Sequence, residues 1–331
     1  MTASDRPAPA WRSPSLSIRI GISACLLGEP VRYDGGHKKD GYITGTLARH
    51  FDWVPVCPEM ELGLGTPRET LRLLGDPAAP RMIATRSGTD LTAAMDEYAR
   101  RRVEELGTLG LSGYILKRAS PSCGMERVKV YPAAPGRAPA AAGRGLFARV
   151  LLAAYPSLPV EEEGRLTDPR LREGFITRVF TYRRLTALRE SRPGRGDIVA
   201  FHTAHKYLIL AHSAEAYARL GRLTAAVKST PRADFLARYA AELMAALALP
   251  ATTKRHVNVL QHIAGFFKDR LDAAEKRELG GLIADFAAGL VPLVVPITLI
   301  NHLVARHQLT YIADQIYLRP HPRELMLRNH I

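Results

Sequence analysis

Cysteine is scarce in this chain, with three among 331 residues, at positions 25, 57 and 123. So small and odd a number argues against a disulfide framework and leaves thiol chemistry, metal binding or core packing. No apolar run reaches the roughly 18 residues that span a bilayer. The richest, Leu290 to Ile300, is short and interrupted by Pro292 and Pro296. The opening MTASDRPAPAWRSPS lacks the apolar core of a secretory signal, so a cytoplasmic location is expected. No G-x4-G-K-[ST] loop or Gly-rich equivalent is present, which disfavours ATP-driven chemistry. A tight Cys-x3-Cys-x2-Cys loop for radical chemistry is missing too.

Acidic residues are also in deficit: 32 against 46 Lys and Arg, a net charge of +14. Residues 1–150 carry 21 basic and 15 acidic residues, or +6; residues 151–331 carry 25 and 17, or +8. Within the second half, 165–206 alone holds 10 basic and 4 acidic residues. Such a surface attracts polyanions and raises encounter rates with them. On charge alone, general Arg-richness without nucleic-acid binding is the more economical account. Hydrophobic residues make up 47%, an ordinary globular composition, and the length suffices for two cores.

Residues 1–16 are rich in Pro, Ser and Ala and read as a disordered leader. Leu16–Ile22 alternates with period two, as a strand does; Trp53–Val56 and Gly113–Lys117 are further strands. Gly41–Phe51, Thr89–Leu106 and Leu146–Tyr155 read as helices, and Tyr131–Gly145 as a loop. Strands alternating with helices predict an α/β domain over 17–158 with a mainly parallel, Rossmann-like sheet. Beyond it, 165–331 predicts an all-α domain with helices at about 168–190, 197–219, 231–248, 251–268, 271–289 and 297–308.

Each cysteine follows one of the three strands: IGISA-Cys25, VPV-Cys57 and YILKRASPS-Cys123. In a parallel sheet the carboxyl ends of the strands share one edge, and ligands bind in the crevice beyond it. Three thiols far apart in sequence can therefore converge, and turns are the wrong place for core cysteines. The flanking Pro and Gly residues suit backbone N–H groups aimed at a bound anion. Thiolates suit zinc or an iron–sulfur cluster, but the close-spaced pairs of a structural zinc site are absent. Three thiolates on a cubane leave one iron without a protein ligand, open to substrate. Glu59 and Ser122 stand beside two of the cysteines. The carboxylate there can activate water or move protons, or merely cap a helix; the hydroxyl can be a turn group.

The segments ISACLLGEPVRYDGGHKKD (22–40), VCPEMELGLGTPRE (56–69) and KRASPSCG (117–124) resemble the thiouracil desulfidase (TudS) family. The resemblance implies a 4Fe–4S cluster on Cys25, Cys57 and Cys123 whose free iron captures the thiocarbonyl sulfur. Glu59 and Ser122 would be catalytic, and Arg32, Tyr33, Asp34 and His37 would line the substrate pocket. The second half resembles the YbgA-like domain at FHTAHKYLILAHS (201–213), HVNVLQHIAGFFKDRL (256–271), LVPLVVPITLINHL (290–303) and DQIYLRPHPRELMLRN (314–329). The fusion is similar to RudS-type desulfidases, which implies conversion of 4-thiouridine in tRNA to uridine by non-redox hydrolysis.

Arg178, Arg183, Arg184, Arg189, Arg192, Arg195 and Lys206 are the expected RNA face. Phe175, Phe180, Tyr182 and Phe201 lie near them in sequence as candidate stacking partners. A solvated helix face over core aromatics is the competing reading. His202 and His205, three apart, are expected to be satisfied or phosphate-facing histidines rather than metal ligands. tRNA is the expected partner, with no membrane and no obligate protein partner. Activity on free thiouracil, a cluster-dependent hydro-lyase and a nucleic-acid-binding iron–sulfur sensor remain open.

Overall fold

The computed structural model describes residues 9–13, 17–134 and 138–331, which fall into two compact units. The first runs from Ser17 to Thr167. Its main sheet contains β1 (Arg19–Ser23), β2 (Asp52–Val56), β5 (Leu111–Leu116) and β8 (Val160–Glu162), ordered β2-β1-β5-β8. All three pairings are parallel. Ile20, Gly21, Ile22 and Ser23 are all buried, as a central parallel strand covered on both faces requires. A Cβ on Gly21 would lie 2.2 Å from the Tyr114 ring, so this crossing admits only glycine.

From β1 the chain passes to β2 on one side and later to β5 on the other. The reversal makes β1/β5 a topological switch point, and ligands bind beyond the strand ends at such points. Two helices pack together in this unit, α2 (Thr92–Thr108) and α3 (Leu146–Ala154). α2 buries Met95, Tyr98, Ala99, Val103 and Leu106, a stripe at helical spacing. Where the sequence predicts a helix over Gly41–Phe51, the chain forms π and 3-10 turns at Tyr42–Thr46 and Leu47–Arg49.

A second sheet was not anticipated. It joins β3 (Leu71–Leu74), β4 (Arg81–Ala84), β6 (Val128–Tyr131) and β7 (Ala140–Gly143) in the order β4-β3-β6-β7. Four-residue strands give too short a period-two signal. Those of β7 are three alanines and a glycine, residues with little strand preference of their own. β7 lies inside the expected Tyr131–Gly145 loop, of which 135–137 lie outside the described residues. The stretch 156–167, read from sequence as a short extended run at the domain boundary, forms β8, and the unit runs to Thr167. Glu162 Oε1 accepts the Met125 N–H at 2.8 Å, and Glu161 pairs with Arg165 at 2.7 Å.

The second unit holds Asp168–Ile331 together with the described residues 9–13. Its main helices are α4 (Pro169–Glu190), α5 (Arg195–His212), α6 (Ala214–Ala225), α7 (Arg232–Ala248), α8 (Thr253–Ala264), α9 (Ala273–Ala287) and α10 (Val294–Arg306). The single helix expected at 197–219 is two. Ser213 is extended at φ −160°, and its Oγ accepts the Ala216 N–H at 3.1 Å, capping α6. The unit departs from the leader expectation at Ala10–Arg12, a 3-10 turn; residues 1–8 and 14–16 lie outside the described residues. Trp11 is buried there, edge-on to Phe201 with ring centroids 5.2 Å apart. No helix among the described residues is long and apolar enough to cross a membrane.

Candidate active site

All three cysteines sit just beyond the carboxyl ends of main-sheet strands and line one cavity of about 370 Å³. Cys25 lies in the 3-10 turn Ala24–Leu27 directly after β1. Its carbonyl accepts the Lys38 N–H at 2.8 Å, which folds the 28–38 loop back over the strand end. Cys57 precedes α1 (Pro58–Glu61), and its N–H donates to Glu61 Oε1 at 3.2 Å. Cys123 lies in a turn held by Ser120, whose Oγ accepts the Ser122 and Cys123 N–H groups at 3.2 and 3.1 Å.

The N-terminal turn of α3 grips that same turn. Leu146 N–H donates to Pro121 O at 3.1 Å and Ala148 N–H to Ser122 O at 3.1 Å. A Cβ on Gly145 would lie 2.4 Å from the Ser122 carbonyl oxygen and 2.8 Å from the Cys123 nitrogen. Backbone cannot swing aside as a flexible side chain does. Gly145→Ala is therefore expected to cost about 1–3 kcal/mol, a fall in melting temperature of roughly 3–10 °C. Calorimetry checks this, and an unchanged melting temperature would show that the Cys123 turn yields freely.

Burial pushes the Cys25 thiol up to about 11, with the nearby Cys57 adding to it and Lys117 working against it. Burial also raises Cys57, and raises Cys123 well above the usual thiol range. The Ser23 hydroxyl, bonded to Cys123, opposes that rise, while Glu59, Cys57 and Cys25 add to it. The three cysteines line the same cavity, each following the strand that the sequence places before it. Among the described residues no set of three His, Cys, Asp or Glu side chains is arranged to hold a single metal ion.

Glu59 lines the cavity and is fixed from two sides. Arg68 Nη2 and Nε donate to its Oε2 at 2.6 and 3.1 Å, and Ser122 Oγ donates to its Oε1 at 2.6 Å. Arg68 is itself locked, donating to Gly65 O at 2.7 Å and Val31 O at 3.0 Å, with 7% of its side chain exposed. Ser122 is fully buried and does not line the cavity; it stands behind Glu59. Arg32 and Tyr33 line the cavity, the guanidinium 5.4 Å from the ring centroid. Asp34 and His37 are exposed on the same loop and do not line it. Asp34 Oδ1 accepts the Gly36 N–H at 3.0 Å and His37 Nδ1 the Lys39 N–H at 3.2 Å, both turn interactions.

Arg68, Ser23 and Lys117 were not singled out from sequence. Lys117 lines the cavity and pairs with Glu163 Oε1 at 2.5 Å. Arg68 and Lys117 fall inside the motif segments, and a charged residue held in such a stretch was the available signal. Which carboxylate Arg68 would meet was not readable.

The expected RNA face of the helical unit does not stay together. Arg184 turns inward, Nη2 donating to Pro320 O at 2.7 Å, and burial lowers its pKa to about 10. It is structural. Arg183 pairs with Glu190 at 3.3 Å, and Arg178 is half-buried on α4. Lys206 Nζ sits 4.9 Å from the Tyr207 and Tyr311 ring centroids. Arg189, Arg192 and Arg195 are exposed at the α4–α5 corner. Phe175 and Phe201 are fully buried, so they are core residues and not stacking surfaces. Phe180 and Tyr182 are half-buried. His202 Nδ1 meets Tyr239 Oη at 3.1 Å and His205 Nδ1 meets Phe201 O at 2.7 Å, partners that suit core histidines.

Known proteins show the same division. Residues 20–163 match the family model described as 2-thiouracil desulfurase, and residues 206–322 match a family of unknown function, DUF1722. The uncharacterized protein YbgA of Escherichia coli (strain K12) is 30% identical over 161 residues, 48% of this chain and 95% of that protein. The uncharacterized protein YbbK of Bacillus subtilis (strain 168) is 34% identical over 110 residues, 32% of this chain and 72% of that one. A solved structure described as the [4Fe-4S]-dependent thiouracil desulfidase TudS is 31% identical, with a TM-score of 0.38, over 46% of this chain and 94% of its own. The chain carries a 2-thiouracil desulfurase domain, related to YbbK, followed by a helical domain of the YbgA family.

Proposed function

We propose that this protein removes sulfur from 4-thiouridine in tRNA, leaving uridine, at a [4Fe–4S] cluster held by Cys25, Cys57 and Cys123. One observation carries the reading: three thiols from three parallel strands open onto one cavity that also presents Glu59. The match of residues 20–163 to the 2-thiouracil desulfurase family supports the reaction type. The donor set fits a cluster. A single ion needs its thiolates within about 4 Å of each other. In a cubane each thiolate takes its own iron, so three thiols around a cavity suit it better. The lining cations Arg32, Lys38, Arg68, Lys117 and Arg118 outnumber its one carboxylate, and so offset the thiolate charge.

When bound, the cluster supplies an iron without a protein ligand, a Lewis acid toward the thiocarbonyl sulfur. Glu59 takes a proton from the water that adds at C4 of the base. Arg68 fixes the carboxylate from the Oε2 side and Ser122 from the Oε1 side, so the base is oriented before substrate arrives. The water oxygen ends in the new carbonyl, sulfur leaves as sulfide, and no electron is exchanged. The positive charge of the helical half and the exposed Arg189, Arg192 and Arg195 support a polyanionic substrate.

The test is anaerobic. Cluster-reconstituted protein is given thiolated tRNA, and loss of thiouridine absorbance is followed with sulfide release. Both are expected, and both should vanish with Cys25→Ser, Cys57→Ser or Cys123→Ser. Turnover of free thiouracil alone would keep the desulfidase and remove tRNA as its substrate. Bound tRNA that stays thiolated beside an intact cluster would instead indicate a sensor.

A further inference from the structure

The helical unit holds a cavity of about 500 Å³ between the first turns of α10 and the segment 318–329. Val294 and Ile297 of the helix and Leu318, Pro320 and Leu327 of the segment make its walls apolar. Onto this hollow converge Arg319, His321, Arg323 and Arg328, and no carboxylate is among the lining residues. Asn301 and Arg319 also line a neighbouring cavity of about 210 Å³. The two share a wall and form a groove along α10, whose 13 residues cover about 20 Å.

The arginines divide by role. Arg328 is buried and committed, its Nε 3.3 Å from Glu173 Oε1 and its Nη1 donating to Tyr317 O at 2.6 Å. Arg319 is exposed and pairs with no carboxylate among the described residues. Arg323 is 96% exposed and reaches only Glu324, at 3.8 Å. On the rim Met326 is held at φ 48° with 61% of its surface exposed. A left-handed non-glycine costs of order 1–3 kcal/mol, and such strain concentrates at ligand clamps. An apolar slot of this size suits a planar ring, and exposed guanidinium groups at its mouth suit a phosphate.

The geometry points to this groove as a binding site for a nucleotide of an unpaired RNA segment, its base in the apolar slot and its phosphate on Arg319 and Arg323. RNA as the source rests on the tRNA reading above; a free nucleotide offers the same chemistry.

The full, cluster-loaded chain tests it, through fluorescence anisotropy with labelled tRNA at fixed salt and desulfuration of tRNA beside that of free thiouracil. Arg319→Glu with Arg323→Glu is expected to raise the Kd for tRNA at least about ten-fold and lower kcat/KM on tRNA in step. Asn301→Trp, which fills the groove without changing charge, is expected to do the same. Turnover of free thiouracil should be untouched in both variants, and its presence in the wild type checks the desulfidase reading separately. Loss in the charge variant alone would make the arginines a general basic surface and overturn the site. An unchanged Kd in both, with no displacement of uridine monophosphate, would overturn it as well. Uridine monophosphate binding that both variants abolish, beside unchanged tRNA affinity, would assign the groove to a free nucleotide.

Discussion

Glu59→Gln is expected to lower kcat for desulfuration by about 10²–10⁴ while iron and sulfide content stay at the wild-type level. The substitution keeps the shape of the side chain but removes its capacity to take a proton. It also sets an amide against Arg68, a buried guanidinium whose Nε and Nη2 both donate to Glu59 Oε2. Arg68→Met should fall nearly as far in kcat with KM little changed, because the carboxylate stays in the cavity wall without its plane being fixed. Arg68→Lys should recover only part of the loss. A lysine restores the charge but cannot hold Glu59, Gly65 O and Val31 O together through one planar fork. Ser122→Ala should be mildest, on the order of ten-fold, since the hydroxyl touches only the far side of the carboxylate. Single-turnover kinetics on cluster-matched samples give the ranking. Full turnover by Glu59→Gln with an intact cluster would remove Glu59 as the base.

The cysteines were legible because their positions obey a rule about sheets and not about neighbours. Each follows an apolar strand, and parallel strands bring their carboxyl ends together whatever lies between them in sequence. The helices were legible for a similar reason: Met95, Tyr98, Val103 and Leu106 repeat at helical spacing. β7 was not, because Ala140–Gly143 has no side-chain pattern and forms a strand only by pairing with β6. Nor was the inward turn of Arg184. On α4 it reads like its neighbour Arg183, and only the Pro320 carbonyl, 136 residues away, draws it in. Trp11 is the same case in reverse, a lone aromatic in a Pro/Ala stretch that gains a partner through Phe201. Periodicity reports a local repeat, whereas these contacts depend on where distant segments end.

The helical unit is expected to lose stability steadily between pH 7 and pH 5, by several kcal/mol. Burial lowers the pKa of His202 to about 4, with Lys206 adding to it. It lowers His205 to about 3, with Arg184 adding, and His256 to about 3, with Arg328 adding. Tyr239 and Tyr317 hydroxyls and the Phe201 carbonyl hold these rings in place without supplying a counter-charge. In the unfolded chain the same imidazoles titrate near 6.5. Above that pH both states are neutral and nothing is lost. As pH falls below it the unfolded chain binds protons that the folded one refuses, so stability falls by up to 1.36 kcal/mol per pH unit for each histidine. At pH 5 the loss is about 2 kcal/mol each, or about 6 kcal/mol for the three, against a typical domain stability of about 5–15 kcal/mol. His212, also lowered by burial, adds in the same sense. Glu173 extends the loss to lower pH. His321 and Arg328 overcome its burial and hold its pKa below the usual carboxylate range, so its contribution disappears only as acid protonates it. Thermal melts followed by helical circular dichroism at pH 7, 6 and 5 measure the slope. His205→Gln, which cannot bind the proton in either state, should flatten that slope by about one proton. A melting temperature that does not move between pH 7 and pH 5 would mean that these imidazoles accept protons while folded, and that the core around Phe201 and Tyr239 opens to water to let them.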